Sequence, residues 1–383
     1  MKKKLISLAL ASASLLGLAA CGGSNAGSAA NGVVNVYNWG EYIDQSVLDD
    51  FTAQTGIKVN YQTYDSNESL YGKLAGGATG YDVIIPSDYM IGQMIEEDML
   101  EPLDFDNIPN FEDIDPTLKN PEYDPENLYS VPYMFGTLGI IYNTTMVDAG
   151  EDMETWNVLW DEKYAGDILM FDNPRDTIGI ALKKLGYSYN TTDPAQVVAA
   201  VDALVAQRPL VQAYVMDDIF EKLEGGNAAI GVYYYGDFLT MKENNSDLAF
   251  ALPREGTNRY VDAMCIPKGV ENKSNAEAFI NFMCSTDAGL RNCEETWYSS
   301  PLLSVREALD PEVVEDPFAY PDETFATEQC ETFACLPADI RTLYNDQWVR
   351  LMNESRTEKN ACPRRRVGTR VFFSSLLFLS DQF

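Results

Sequence analysis

The chain of 383 residues contains no histidine, and basic residues are scarce: 27 Lys and Arg stand against 59 Asp and Glu, a formal net charge of −32. Without histidine, a Ser-His-Asp triad, a Cys-His dyad and a His-ligated zinc site are excluded. A protein this acidic repels phosphate backbones, so nucleic acid is a poor partner. Chemistry based on carboxylates, tyrosine or cysteine alone remains open. The 22 Tyr and 5 Trp beside so many acids are also compatible with a cationic ligand, and an acidic surface that serves solubility alone is the alternative.

Cysteine occurs, but never in the spacing of a metal or redox motif. Six cysteines follow Cys21 and none of them forms a Cys-x-x-Cys pair; they are Cys265, Cys284, Cys293, Cys330, Cys335 and Cys362. A zinc ribbon or a thioredoxin-type site is therefore not indicated. Export would permit disulfides, whose pairing the sequence does not give, and buried free thiols are the alternative.

The N-terminus has the pattern of an export signal. Three lysines in residues 1–4 precede a short apolar run that ends in Leu-Ala-Ala before Cys21. A basic start, a short apolar core and small residues at the cleavage point predict a signal peptide over residues 1–20, since the run is too short to span a membrane comfortably. The placement of Cys21 resembles the bacterial lipobox, in which the cysteine is lipidated; the alternative is an ordinary signal with a chance cysteine.

Residues 21–32 are small and polar and predict a flexible tether. The expected layout is an exported globular body, lipid-anchored at the outer face of the cytoplasmic membrane, or periplasmic in a Gram-negative cell. Residues 354–383 differ from the body, because six basic side chains against three acidic ones give them a net charge of +3. This tail is interpreted as an extension alien to the fold; a membrane-surface segment is the alternative.

The body alternates strand-like and helix-like segments. The predicted strands are residues 33–37, 57–63, 81–85, 139–142, 166–170 and 228–235. The predicted helices are residues 46–55, 69–74, 91–99, 175–185, 195–206, 287–297 and 338–351. Strands that alternate with helices predict an α/β fold with βαβ units and a parallel sheet.

Acidic and aromatic residues recur at the predicted strand ends, where open α/β sheets bind ligands. Their rings and carboxylates can hold an ammonium group by cation–π contact and ion pairing. The candidates are Trp39, Glu41, Tyr42, Ser87, Tyr89, Asn173, Asp176, Tyr234, Tyr260, Asp262 and Tyr298. Taken singly, each has an ordinary explanation: core aromatics, or helix caps at Ser87 and Asp172. Strand alternation places Tyr234 on one face and its neighbours Tyr233 and Tyr235 on the other.

With these residues in view, the chain resembles the spermidine/putrescine-binding lipoproteins that feed ABC importers. The resemblance runs from about residue 33 to residue 353. It rests on residues 37–42 (YNWGEY), 56–59 (GIKV), 65–68 (DSNE), 81–87 (YDVIIPS), 129–133 (YSVPY) and 181–188 (ALKKLGYS). These stretches are strong as a set, whereas none of them would suffice alone.

The resemblance implies a two-lobed, type II periplasmic-binding-protein-like fold with a hinge and a ligand cleft between the lobes. Residues 33–137 and 264–302 would form lobe 1, and residues 138–263 and 303–353 lobe 2. The chain would cross between lobes near residues 135–139, 265 and 301. A monomer that binds a polyamine and meets the membrane permease subunits of an ABC transporter is implied, with no catalysis, cofactor or metal.

The same resemblance places the eleven candidates along the polyamine, with rings at its methylenes and carboxylates at its amines. Asn173 lies where the family often has Asp, and its amide oxygen would accept from an ammonium. Gly40 replaces a hydroxyl residue. Tyr234 and Tyr260 lie where tryptophan is common, and a phenol is the weaker cation–π partner. The preference between spermidine and putrescine therefore stays open.

Three alternatives stand beside this interpretation. Tyr233, Tyr234 and Tyr235 could supply phenolate oxygens to ferric iron in a different solute-binding protein. A secreted hydrolase would need two carboxylates about 5–9.5 Å apart in one cleft, and no such pair is recognisable in the sequence. A binding protein repurposed as a receptor ligand is the third, and the sequence does not distinguish it from a transport protein.

Overall fold

The computed structural model describes residues 32–321 and 323–360. The predicted signal peptide, Cys21 and most of the predicted tether lie outside the described residues, as do residues 361–383 of the basic tail. Among the described residues, no helix combines the length and the apolar character needed to cross a membrane.

The strands in the described residues are β1 Val33–Trp39, β2 Lys58–Tyr64, β3 Val83–Ile84, β4 Ser130–Asn143, β5 Ile168–Phe171, β6 Val211–Val215, β7 Ile230–Tyr234, β8 Leu248–Ala251, β9 Thr257–Cys265 and β10 Cys330–Glu331. The helices are α1 Gln45–Thr55, α2 Asn67–Ala75, α3 Asp88–Glu96, α4 Pro174–Lys184, α5 Pro194–Gln207, α6 Asp218–Glu224, α7 Tyr235–Asn244, α8 Lys273–Met283, α9 Thr286–Thr296, α10 Leu303–Ala308, α11 Pro311–Val314, α12 Glu323–Glu328 and α13 Ala338–Asn360. Short 3₁₀ turns occupy much of the proline-rich loop between α3 and β4.

Local sequence signals set the bounds of the first helix. The Asp44 side chain accepts a hydrogen bond from the Ser46 backbone, which caps the N-terminus of α1, and Gly56 ends the helix with a left-handed φ of 75°. Val47, Leu48 and Phe51 lie on its buried face. This helix, β1 and β2 match the sequence prediction to within a residue or two.

The strands pair in the order β2-β1-β3-β9-β4-β7-β5-β6, with β8 added to β4 and β10 to β9. The β1, β2 and β3 pairings are parallel, as are those of β5 with β6 and β7. The short β10 pairs with β9 in parallel. However, β9 runs antiparallel to β3 and β4, and β4 also runs antiparallel to β7 and β8. The prediction of a parallel sheet is therefore wrong at its centre. Residues that pair between these central strands lie about a hundred or more positions apart in the sequence. No local sequence pattern therefore indicates whether the strands pair in parallel or antiparallel.

Strand β4 joins the two halves of the sheet. Residues from Ser130 to Thr137 pair with β9, and residues from Leu138 to Asn143 pair with β7 and β8. Thirteen of its fourteen residues are buried, as expected for a strand covered on both faces. At Gly139 an added Cβ would lie 2.3 Å from the Phe250 ring, so this crossing needs a glycine.

Some predicted bounds differ from the structure. The predicted strand 81–85 shrinks to β3, and helix α3 begins at Asp88, three residues before its predicted start. The run 228–235 ends as a strand at Tyr234, because Tyr235 begins helix α7. Helix α13 continues to Asn360, past the predicted start of the tail at residue 354.

Candidate functional site

A cavity of about 770 Å³, here called the main cavity, lies where several strand ends meet. Trp39 ends β1, Tyr234 ends β7, and Asp176 lies in the first turn of α4, just after β5. All eleven predicted site residues line it: Trp39, Glu41, Tyr42, Ser87, Tyr89, Asn173, Asp176, Tyr234, Tyr260, Asp262 and Tyr298. Residues from across the sequence are thus brought to one place.

The lining of the main cavity is strongly acidic. Seven carboxylates take part, namely Glu41, Asp65, Glu68, Asp176, Asp217, Asp237 and Asp262. Among the described residues that line it there is no lysine or arginine. Buried carboxylates without a positive partner are costly, so a charge pattern of this kind calls for a cation from outside the chain.

Asp262 lies within β9 and is 5% exposed. The Tyr42 hydroxyl donates to its Oδ2 at 2.7 Å, and the Ser87 hydroxyl donates to its Oδ1 at 2.6 Å. Burial raises the pKa of Asp262 to about 6, although the two hydrogen bonds oppose the increase. Ser87 occupies the N-cap position of α3, as the capping explanation expects, but its side chain makes no capping hydrogen bond. Its hydroxyl donates to the Asp262 carboxylate instead.

Asp176 is held by its own helix start. The Asn173 side chain caps α4 by accepting from the Asp176 backbone, and its Nδ2 donates to Asp176 Oδ2 at 2.9 Å. The Tyr234 hydroxyl donates to the same oxygen at 3.1 Å. Asp176 Oδ1 is buried without a partner among the described residues. Burial raises the pKa of Asp176 to about 6.

One expectation at this helix start needs correction. The residue that caps α4 is Asn173, one position after Asp172. The amide oxygen of Asn173 accepts the backbone N–H of Asp176 at 2.9 Å, and its second lone pair leaves the expected contact with an ammonium open. Asp176 also lines the main cavity and has an unpartnered acceptor oxygen among the described residues.

Glu68, at the start of α2, is a cavity acid that the sequence interpretation did not single out, although it belongs to the motif at residues 65–68. The Tyr89 hydroxyl donates to Glu68 Oε1 at 2.9 Å, and Glu68 Oε2 is buried without a partner among the described residues. Burial raises the pKa of Glu68, and the charge of Asp176 adds to the increase. Glu68 and Asp176 together therefore offer two unused acceptor oxygens.

Asp237 is another cavity acid that the sequence interpretation did not single out, as are Asp65 and Asp217. Asp237 lies in the first turn of α7, three positions after Tyr234, and accepts from the Tyr298 hydroxyl at 2.5 Å. Burial raises the pKa of Asp237 to about 8, with smaller contributions from the charges of Asp217 and Glu41. An acid one turn into a helix that follows a strand is the pattern that identified Asp176. The same rule would have found Asp237 had α7 been predicted.

Aromatic rings complete the walls. The Trp39 indole is fixed by donating from Nε1 to the Ile85 carbonyl at 2.9 Å. The rings of Tyr42 and Tyr298 lie 4.6 Å apart, and those of Tyr234 and Tyr260 lie 4.9 Å apart, both edge to face. Rigid rings such as these suit methylene chains and ammonium groups.

Tyr233 also lines the main cavity and donates to Asp217 Oδ1 at 3.0 Å. The expectation that Tyr233 and Tyr234 face opposite sides of the sheet is therefore wrong. Strict alternation ends because β7 stops at Tyr234 and the chain turns into α7.

Residues 46–320 match the family described as bacterial extracellular solute-binding protein. The chain is similar to the spermidine/putrescine-binding periplasmic protein of Escherichia coli K12, with 36% identity over 307 residues, which cover 80% of this chain and 88% of that protein.

Solved structures are similar over the same extent. A chain from Listeria monocytogenes, ascribed to a spermidine/putrescine ABC transporter, superposes with a TM-score of 0.80 at 38% identity and covers 84% of this chain and 98% of its own. The spermidine/putrescine substrate-binding protein PotD of Streptococcus pneumoniae gives 0.71 at 41% identity, covering 84% and 99%. The predicted α/β, two-lobed fold of periplasmic binding proteins is thereby confirmed.

Proposed function

The chain belongs to the bacterial extracellular solute-binding protein family, and we propose that its solute is a polyamine, spermidine or putrescine, which it delivers to a membrane ABC importer. One observation carries the proposal: seven carboxylates and no basic side chain line the main cavity in the described residues, beside aromatic rings. Spermidine and putrescine are flexible chains of methylenes between ammonium groups, so they supply the positive charge that this lining lacks and the apolar segments that pack against its aromatic rings.

Within the main cavity, Asp262 receives one ammonium group, because its two hydrogen bonds come from neutral hydroxyls that leave its charge uncompensated. Asp176 and Glu68 receive another through their unpartnered oxygens. The alkyl segments lie against Trp39 and Tyr260. Glu41 is exposed at the cavity rim, where it attracts a cation at longer range.

The family is one of solute-binding transport proteins and is not an enzyme family. The chain would accordingly capture and release its ligand without altering it, by closure of two lobes around the cleft. The lobes take the boundaries expected from the resemblance, with crossings near residues 135–139, 265 and 301. The anchor is a lipid on Cys21 and the working form is a monomer.

Ferric iron finds less support. Among the described residues there is no group of three or more His, Cys, Asp or Glu side chains placed to hold a metal ion. Burial also raises the pKa of Tyr233 and Tyr234 well above the ordinary value, which disfavours the phenolate form that iron requires. No observation in the structure favours iron over a polyamine.

A thermal-shift panel tests the proposal. The protein is melted with putrescine, spermidine, spermine or ferric citrate, because a ligand that binds only the folded state stabilises it by about 2.7 kcal/mol at a hundred times its Kd. Spermidine or putrescine should raise the melting temperature, whereas ferric citrate should not. Absence of a shift with every polyamine would refute the proposed ligand, and a shift with ferric citrate alone would establish the alternative.

A further inference from the structure

A second cavity of about 740 Å³ adjoins the main cavity. Glu68 and Tyr89 line both of them. On the other side, the start of α4 divides the two: Asn173 and Asp176 line the main cavity, whereas Pro174 and Arg175 line the second. The two cavities therefore meet at the hydrogen-bonded pair Glu68 and Tyr89 and at the first turn of α4. Phe333 and Ala334 also lie at this junction, since they line the main and the second cavity respectively.

The second cavity has a different chemistry from the first. Its walls are largely apolar or aromatic, with Tyr71, Met90, Leu336 and Tyr344 among them. Glu68 is its single carboxylate among the described residues, and two guanidinium groups, of Arg175 and Arg341, also line it. Arg341 is ion-paired with Glu96 and Glu97, whereas Arg175 has no ion pair among the described residues. A free ammonium group is therefore poorly matched to the space beside Arg175, while a small neutral group fits it.

Arg175 provides a fixed and unused hydrogen-bond donor there. The side chain is 4% exposed, and its Cζ lies 4.3 Å from the centre of the Phe333 ring. Both terminal nitrogens are occupied: Nη1 donates to the Tyr189 carbonyl at 2.9 Å and Nη2 to Asn190 Oδ1 at 2.8 Å. Nε has no partner among the described residues. A buried donor left unpaired costs free energy, and a carbonyl oxygen would relieve the cost.

Two kinds of unpartnered atom thus lie on either side of the dividing turn. Asp176 Oδ1 and Glu68 Oε2 need a cation, and Arg175 Nε needs a neutral acceptor. A polyamine with an acyl group on one terminal nitrogen carries both: ammonium groups along its chain and an amide carbonyl at one end. Acylation also removes the terminal positive charge that the Arg175 guanidinium would oppose.

We propose that the second cavity holds the acyl end of a mono-N-acylated polyamine whose ammonium groups occupy the main cavity. The alkyl segment passes the Tyr89 ring, and the amide oxygen accepts from Arg175 Nε. This inference rests on the proposed polyamine function, because the ammonium end uses the same carboxylates.

Titration calorimetry of the full-length protein with spermidine and with each mono-N-acetylspermidine tests the inference. Wild type should bind one acetylated isomer within about tenfold of its affinity for spermidine. Asn345→Trp fills the second cavity from an exposed position on α13 that does not line the main cavity. This variant should weaken the acetylated ligand at least tenfold and spermidine less than twofold.

Asp346→Trp is the matched control, since Asp346 is the exposed neighbour that lines neither cavity, and it should change neither affinity. Arg175→Lys keeps the charge but removes Nε, and it should weaken the acetylated ligand selectively; its melting temperature reports whether it folds. Spermidine binding without binding of either acetylated isomer would overturn this inference, as would equal weakening of both ligands by Asn345→Trp. Failure of wild type to bind spermidine would overturn the proposed function itself.

Discussion

The buried acids of the main cavity are surrounded by neutral hydrogen-bond donors. Asp262 accepts from Tyr42 and Ser87, and Asp237 accepts from Tyr298. Hydroxyl donors fix the direction of a carboxylate but do not cancel its charge, and burial raises the pKa of both acids. Each such residue is therefore prepared for a positive group that the chain itself does not provide.

Asp262→Asn tests whether the negative charge of this buried acid binds a cationic ligand. The substitution keeps the shape and removes the charge, so spermidine should bind about 10- to 150-fold more weakly, the effect of losing about 1.5–3 kcal/mol of charged hydrogen bonding. Calorimetric titration measures it. Asp49→Asn, on the exposed side of α1, is the control and should leave the affinity unchanged. An unaltered affinity in Asp262→Asn would remove Asp262 from the site.

Single residues also show where prediction from sequence succeeds. The acidic and aromatic site residues at strand ends could be predicted from the sequence, because a sheet brings strand ends together. The family resemblance then identified which positions in this sequence correspond to the site. Glu68 was not, since an acid in the first turn of a helix is expected for the helix dipole alone. Asp237 was missed because the preceding run of tyrosines predicts a longer strand, which hides the start of α7.

Among the elements, α4 carries the most constraints. Its first turn supplies Asp176 to the main cavity and Arg175 to the second, and its middle packs on a buried ring. At Gly179 an added Cβ would lie 2.5 Å from the ring of Tyr189, which is fully buried. The glycine thus lets α4 approach the layer that includes Tyr189.

Gly179→Ala should destabilise the protein by about 1–3 kcal/mol, because the extra methyl group overpacks a closed region. Gly72→Ala is the matched control: it lies in the exposed part of α2 with no atom within 4 Å of its added Cβ, and it should stabilise by about 0.4–1 kcal/mol. Denaturant unfolding measures both. Equal effects in the two variants would mean that α4 does not pack closely on Tyr189.

The elements also mark the limit of local prediction. Helices with clear caps, such as α1, were predicted within two residues, because the cap and the apolar spacing are local. The direction of β4 and β9 was not predicted, since their pairing joins residues about 130 positions apart, such as Ser130 and Cys265. The antiparallel direction of these central strands is set by tertiary contacts, which local propensity does not encode.

For the whole molecule, the absence of histidine makes the pH dependence of folding stability simple to interpret. Between pH 6 and 8 few ordinary side chains titrate in a chain without histidine. Asp237, with its pKa raised to about 8 by burial, titrates in this window. In the unfolded chain this carboxyl returns to its ordinary value near 3.8, so the folded protein binds the extra proton.

Stability of the ligand-free protein should therefore fall as pH rises from 7 to 8, by up to about 1.4 kcal/mol per pH unit through Asp237. Below pH 7 the carboxyls of Asp176 and Asp262, whose pKa values burial raises to about 6, contribute as well. Asp237→Asn should flatten the dependence from pH 7 to 8. The shift in melting temperature that spermidine produces should grow over the same range, because the charged carboxylate favours the cation. Melting curves at several pH values measure both effects, and a dependence that persists in Asp237→Asn would assign it to another group.

The central claim for the whole molecule is that the acidic, aromatic main cavity captures a polyamine. Direct calorimetric titration of spermidine and putrescine into the purified protein tests it most directly. The account predicts saturable binding at a single site, weakened by added salt because the contacts are ionic. Absence of saturable binding with both polyamines would contradict it.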